Sequence, residues 1–251
     1  MNILNKFKIL FLTTIVLMVV GANADSYYKN KITISGSEVF DNEIFDKEYK
    51  IESKTGLMIY VKNNSSVEGI KDLLGGRADL AMTSSSLSSL SPKMKDVDIS
   101  KLKEFEITQV ELGFLVNPRN KVGKLSIDQI KKIYTGKITN WKEVGGDDIK
   151  ILILSRGKNN PTEEILGKIL GIEYTAKNIK DNLSTRKLSK MINNTIGSIA
   201  LYPMDFLLSK DLVKYIKIDQ TLKQKLYLVT KGEPNSDAKK IIDAAREVSK
   251  D

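Results

Sequence analysis

"MIYVKNNSSVEGIKDLLGGRADLAMTSSS", residues 58–86, decides the fold. Residues 58–61 form a short apolar run rich in β-formers. Ser65 and Glu68 then stand three apart as a capping box, and Val67, Ile70, Leu73 and Leu74 follow on one helical face. Gly75-Gly76 stops that helix, and residues 78–82 give a second apolar strand that runs into Thr83-Ser84-Ser85-Ser86. Strand, helix and strand in this order, with apolar strands, predict an α/β protein whose parallel sheet is covered by helices.

The pattern repeats outward. Residues 31–35 read as a strand that ends in Ser35-Gly36-Ser37, and 107–116 as a longer strand broken by Gly113. Ser126 and Gln129 make a second capping box, opening a helix with Ile127, Ile130, Ile133 and Tyr134 that Gly136 closes. Residues 149–154 form a strand. In 155–170, "SRGKNNPTEEILGKIL", Asn160 can cap, Pro161 suits the first helical position and Glu163 stands where a capping partner would. Ser184 can cap a further helix, 196–201 is a weaker strand, 226–230 a clear one, and Ser236 starts the last helix. Ligands of such folds sit outside the carboxyl ends of the strands. Three small polar loops qualify: 35–37, 83–86 and 155–162. Serine and glycine are equally common in ordinary turns, so pattern alone leaves both readings open.

Composition narrows the chemistry. The chain has 251 residues, enough for one large domain or two small lobes, and 41% of them are hydrophobic, as in globular proteins. It has no cysteine and no histidine, which removes thiol nucleophiles, disulfides, imidazole catalysis and Cys/His metal sites. No Ser/Lys pair stands at a recognisable spacing, so an enzyme is not expected, and neither metal nor cofactor is called for. The formal charge of +9 comes from scattered lysines, which read as a solvated surface and not as a nucleic-acid face.

Lys6 and Lys8 precede an almost unbroken apolar run, 9–20, and then Ala22-Asn23-Ala24. This is the pattern of a cleaved signal peptide covering 1–24. The expected product is soluble, exported and periplasmic, beginning at Asp25.

"LSIDQIKKIYTGKITNWKEVGG", residues 125–146, resembles a signature segment of the phosphate-binding proteins of ABC importers, which are type II periplasmic solute-binding proteins. "VEGIKDLLGGRADLAMTSSSLS" (67–88) and "IGSIALYP" (196–203) resemble further segments of that family, in the same order. The resemblance implies two α/β lobes, a hinge of two crossover strands near 112–113 and 225–226, and an interlobe ligand cleft. Lobe one would comprise 25–112 plus 226–251, and lobe two 113–225. It implies capture of a small oxyanion, phosphate first, and delivery to an ABC transporter's membrane permease, by a monomer. Trp141 should pack in the core.

Carried over residue by residue, the resemblance places Ser37, Ser66, Asp79, Ser84, Arg156, Asn160 and Thr162 around the ligand. Asp79 would accept a hydrogen bond from a protonated oxyanion and so discriminate against sulfate. Two departures stand out. Glu38 follows Ser37 where the family has threonine, and Asn159-Asn160-Pro161-Thr162 replaces Gly-Ser-Gly-Thr, so that Pro161 offers no N–H. A carboxylate about 4 Å from the anion would cost roughly 4 kcal/mol at an effective dielectric near 20. Glu38 lining the cleft therefore favours a different ligand, such as a zwitterion, and a cleft without a ligand would suit a secreted sensor or interaction protein. The competing readings are a surface ion pair of Arg156 with Glu163 or Glu164, a strand-end cap for Asp79, a plain helix cap for Ser66 and a surface position for Glu38.

Overall fold

A computed structural model describes residues 31–95, 97–157, 160–171, 179–181, 183, 185–204 and 213–250. The expected signal peptide with its cleavage point, Asn159 and the cap Ser184 lie outside the described residues. Ten strands form one mixed sheet: β1 (Lys31–Ser37), β2 (Met58–Asn64), β3 (Leu80–Thr83), β4 (Leu102–Val116), β5 (Lys124–Leu125), β6 (Leu152–Leu154), β7 (Ile179–Lys180), β8 (Ser198–Pro203), β9 (Lys214–Ile218) and β10 (Leu222–Lys231). The main path runs β2-β1-β3-β10-β4-β8-β6-β7, with β9 paired to β4 and to β5. The helices are α1 (Glu38–Ile44), α2 (Glu48–Thr55), α3 (Ser66–Leu74), α4 (Leu87–Leu90), α5 (Ile127–Tyr134), α6 (Pro161–Leu170), α7 (Thr185–Asn194) and α8 (Ser236–Val248).

The strand–helix–strand unit read from 58–86 is present, and β1 lies parallel to both β2 and β3. Helix α3 begins as its capping box predicts, with Ser65 Oγ accepting the Glu68 N–H at 3.2 Å. It buries Ile70 and Leu73 and lies very close to β1: a Cβ on Gly69 would stand 2.4 Å from the Ser35 carbonyl oxygen. Helix α5 carries the reciprocal capping box of Ser126 and Gln129. Its apolar face buries Ile130, Ile133 and Tyr134.

Two long antiparallel strands join the halves of the molecule. Strand β4 pairs with β10 along residues 102–112 and then with β8 along 112–116; Leu112 faces both Leu222 and Pro203. The β10 register is irregular between Leu226 and Tyr227. On one side of this crossing lie β1–β3 with α1–α4 and α8, and on the other β5–β9 with α5–α7. The fold is thus a two-lobed α/β architecture. Trp141 is 1% exposed and donates its indole N–H to the Gly197 carbonyl at 3.0 Å, a core role. No helix of the described residues is long and apolar enough to cross a membrane.

Candidate functional site

Strand ends from the first lobe supply three hydroxyls. At the end of β1, Gly36 takes φ 143°, and a Cβ there would stand 2.0 Å from the Met82 carbonyl oxygen, so only glycine lets β1 and β3 approach this closely. Ser37 follows, in the position that precedes α1, but it makes no cap. Its hydroxyl instead donates to Ser84 Oγ, 2.9 Å away, just beyond β3. The Ser84 N–H donates to Ser66 Oγ at 3.2 Å, on the first residue of α3. All three serines are buried. Because Ser65 caps α3, the Ser66 hydroxyl serves another purpose, and its plain capping reading falls.

The second lobe supplies a cation. Strand β6 ends at Leu154, and Arg156 stands in the loop that leads to α6. Asn160 Oδ1 accepts the Thr162 N–H at 3.0 Å and Pro161 occupies the first turn, as the sequence predicts. Asn160 is thus committed to capping. Glu163 departs from its expected role as capping partner: its carboxylate is buried and accepts the backbone N–H of Arg156 at 3.2 Å. This contact folds the loop back onto the helix. The Arg156 guanidinium donates from Nη2 to Thr162 Oγ1 at 2.8 Å and lies 5.4 Å from the centre of the Tyr202 ring on β8. Its Nε is buried and has no hydrogen-bond partner among the described residues. No carboxylate forms an ion pair with this guanidinium among the described residues.

Gln224, which sequence reasoning missed, links the two sets. It is fully buried on β10, the connecting strand. Its amide nitrogen donates to the Ser84 carbonyl at 3.0 Å and its amide oxygen accepts from Thr162 Oγ1 at 3.1 Å. A continuous hydrogen-bonded chain therefore runs from Ser37 through Ser84, Gln224 and Thr162 to Arg156, across the lobes. The groups along it are hydroxyls, one amide and one guanidinium: several donors, one fixed positive charge and no carboxylate. Such a set, with its fixed positive charge, suits an anion. Among the described residues no group of three acidic side chains could hold a metal ion.

Two expected members are elsewhere. Asp79 is exposed and precedes β3; its Oδ2 accepts the Thr33 N–H at 2.8 Å, and its own N–H donates to the Thr33 carbonyl at 2.8 Å. It caps the amino end of the strand pair, whereas Ser37 and Ser84 stand at the carboxyl end. Four residues of β3 separate Asp79 from Ser84, a path of roughly 16 Å at about 3.3 Å per residue. The carry-over of Asp79 is corrected accordingly, in favour of the strand-end cap. Glu38 is exposed on the first residue of α1, as its reading as a surface position expects.

A second buried carboxylate braces the first lobe. Asp72 Oδ2 accepts from Ser35 Oγ at 2.7 Å and from Lys62 Nζ at 2.8 Å, and Oδ1 accepts from Arg77 Nε at 2.7 Å. These donors, Lys62 first, hold its pKa well below the usual carboxylate range against the cost of burial. They tie α3 to β1 and β2.

A family model described as a PBP superfamily domain matches residues 21–247. The phosphate-binding protein PstS of Bacillus subtilis (strain 168) is 28% identical over 201 residues, 79% of this chain and 65% of that protein. The Staphylococcus haemolyticus (strain JCSC1435) phosphate-binding protein PstS is 35% identical over 109 residues, 40% of this chain and 34% of that protein. The chain thus spans less than two thirds of the length of these relatives. Among solved structures, a Clostridium perfringens protein described as a phosphate ABC transporter substrate-binding protein, with bound phosphate, superposes with TM-score 0.68 at 26% identity, covering 86% of this chain and 92% of that one. The regulatory domain of OxyR from Pseudomonas aeruginosa reaches TM-score 0.61 at 9% identity, covering 87% and 96%, a likeness of fold alone.

Proposed function

The chain belongs to the PBP superfamily, and from that premise we propose that it captures a small oxyanion, phosphate before others, between its lobes and delivers it to the membrane permease of an ABC importer. The observation that carries this reading is the hydrogen-bonded chain from Ser37 to Arg156, with a buried guanidinium Nε–H left without a partner. An oxyanion entering between the lobes takes over the hydrogen bonds that these hydroxyls now exchange with one another. It also meets the buried, unpaired Nε–H of Arg156 and the positive charge. Hydroxyls rotate to donate at little cost, and a guanidinium does not compete for the ligand's protons. Ser37, Ser66, Ser84, Arg156, Thr162 and Gln224 line the cleft in this reading, with Asn160 and Glu163 holding the Arg156 loop.

The protein binds and releases; it has no catalytic step. Lobe one, 25–112 plus 226–251, and lobe two, 113–225, rotate about the strands that join them. The chain works as a periplasmic monomer after loss of residues 1–24, without a cofactor and without nucleic acid. A second reading is favoured by one observation: the serines, Thr162 and Gln224 already satisfy one another, as they would in a secreted interaction protein whose cleft is permanently shut. Isothermal calorimetry of the purified protein with phosphate separates the two. A saturable 1:1 heat supports capture, and no heat with phosphate, sulfate or arsenate supports the shut cleft.

A further inference from the structure

The lobes also meet outside the chain of hydroxyls. Lys93 ends the short 3-10 turn Ser91–Lys93 of the first lobe, and Glu164 stands in the first turn of α6 in the second. Their side chains form an ion pair and are only 28% and 18% exposed. The remaining ion pairs among the described residues lie within one lobe or on the paired strands β4 and β10. One turn further along α6, Lys168 Nζ approaches Ser89 Oγ of α4 at 3.4 Å, a second contact between α6 and the first lobe. Glu164, Lys168 and Ser89 help to line an open pocket of about 140 Å³ that Ser84, Ser86 and Tyr227 also line. Ser84 is shared by this pocket and the proposed oxyanion site, which puts Glu164 beside that site.

We propose that Lys93 and Glu164 form an interlobe latch, which holds the closed form together and sets how long a bound oxyanion is retained without touching it. The location gives the pair its strength. Partial burial lowers the Lys93 pKa, and the neighbouring Lys168 charge lowers it further, so the Glu164 carboxylate is the group that offsets the cost of holding the ammonium there. Charges so placed are screened less than surface pairs. The pair exists only while the lobes are together, so its full free energy acts on the closed state. The proposal uses the oxyanion reading only to name the ligand, and its structural half can be tested without one.

The chain contains no cysteine, so one label can be placed on each lobe at introduced cysteines, Lys101→Cys and Lys137→Cys, both exposed. The ligand-free distance between the labels is measured in the parent and in Lys93→Ala, Glu164→Gln and the exchanged pair Lys93→Glu/Glu164→Lys. Phosphate dissociation is measured by stopped flow in the same set. Both single variants should lengthen the distance and speed release about tenfold, between the effects of exposed and buried pairs. The exchanged pair should restore both. An unchanged distance in both single variants overturns the latch, and so does failure of the exchanged pair to restore it. If phosphate binds none of the proteins while the distances still shift, the latch stands and the oxyanion reading falls.

Discussion

Gln224→Met removes the bridge between the lobes while keeping close to the original side-chain volume. Gln224 is 0% exposed, so no water replaces its amide. Two partners are affected. The Ser84 carbonyl, on a residue 1% exposed, loses the amide donor at 3.0 Å. Thr162 Oγ1 loses its acceptor at 3.1 Å but keeps the Arg156 guanidinium as a donor. One group is therefore orphaned outright, at about 1–3 kcal/mol, and the thioether packs in place of the amide at little further cost. For a chain of this size each kcal/mol lowers Tm by about 2–4 °C, so a loss of about 2 kcal/mol corresponds to roughly 4–8 °C. Gln224 lines the cleft in the proposed reading, so loss of its amide donor there should weaken phosphate binding about tenfold, or ~1.4 kcal/mol. Differential scanning calorimetry and phosphate titration of parent and variant provide the assay. A variant that melts within a degree of the parent and binds phosphate equally well would refute the bridge.

Two other perturbations probe the framework. Asp79→Ala should leave phosphate affinity within about twofold and cost at most about 1 kcal/mol, the value of an exposed strand-end hydrogen bond; a large affinity loss by calorimetry would return Asp79 to the site. Asp72 has a folded-state pKa below its ordinary value of 3.8, so it adds stability that is complete above that value and is lost as pH falls below it. Urea midpoints should therefore fall more steeply below about pH 4 in the parent than in Asp72→Asn, and parallel curves would show that the carboxylate is not held by Lys62, Ser35 and Arg77.

How much of this was legible depends on whether the signal is local. Capping boxes at Ser65 and Ser126, the Asn160-Pro161 helix start and the runs of β1, β3 and β10 are patterns within a few residues, and each was readable. Residues 38–55 were not, because Phe40, Ile44, Phe45 and Ile51 are scattered among charged residues and give α1 and α2 no continuous apolar face. Strand β9 was missed for the same reason. Gln224 gave no signal, since a lone amide in an alternating strand reads as a solvated position, and only the antiparallel pairing of β10 with β4 carries it into the interior. The misplacement of Asp79 had a remedy in the sequence. The residue precedes its strand, so it lies at the amino end, while the polar loop that follows the same strand lies at the carboxyl end, where ligands of such sheets bind. Chain direction along a strand was stronger evidence than motif similarity. Glu38 could not have been settled, because its orientation depends on how α1 packs over β1.

The most direct test of the account is phosphate titration of the intact protein beside Arg156→Ala. The guanidinium supplies the one positive charge of the hydrogen-bonded chain, and a charge-assisted pair with an oxyanion is worth about 1.5–3 kcal/mol before the lost charge attraction is added. The parent should bind one phosphate, and the variant should bind at least about a hundredfold more weakly, or about 2.7 kcal/mol, with its Tm no longer raised by phosphate. Equal phosphate affinity in the two proteins would contradict the account.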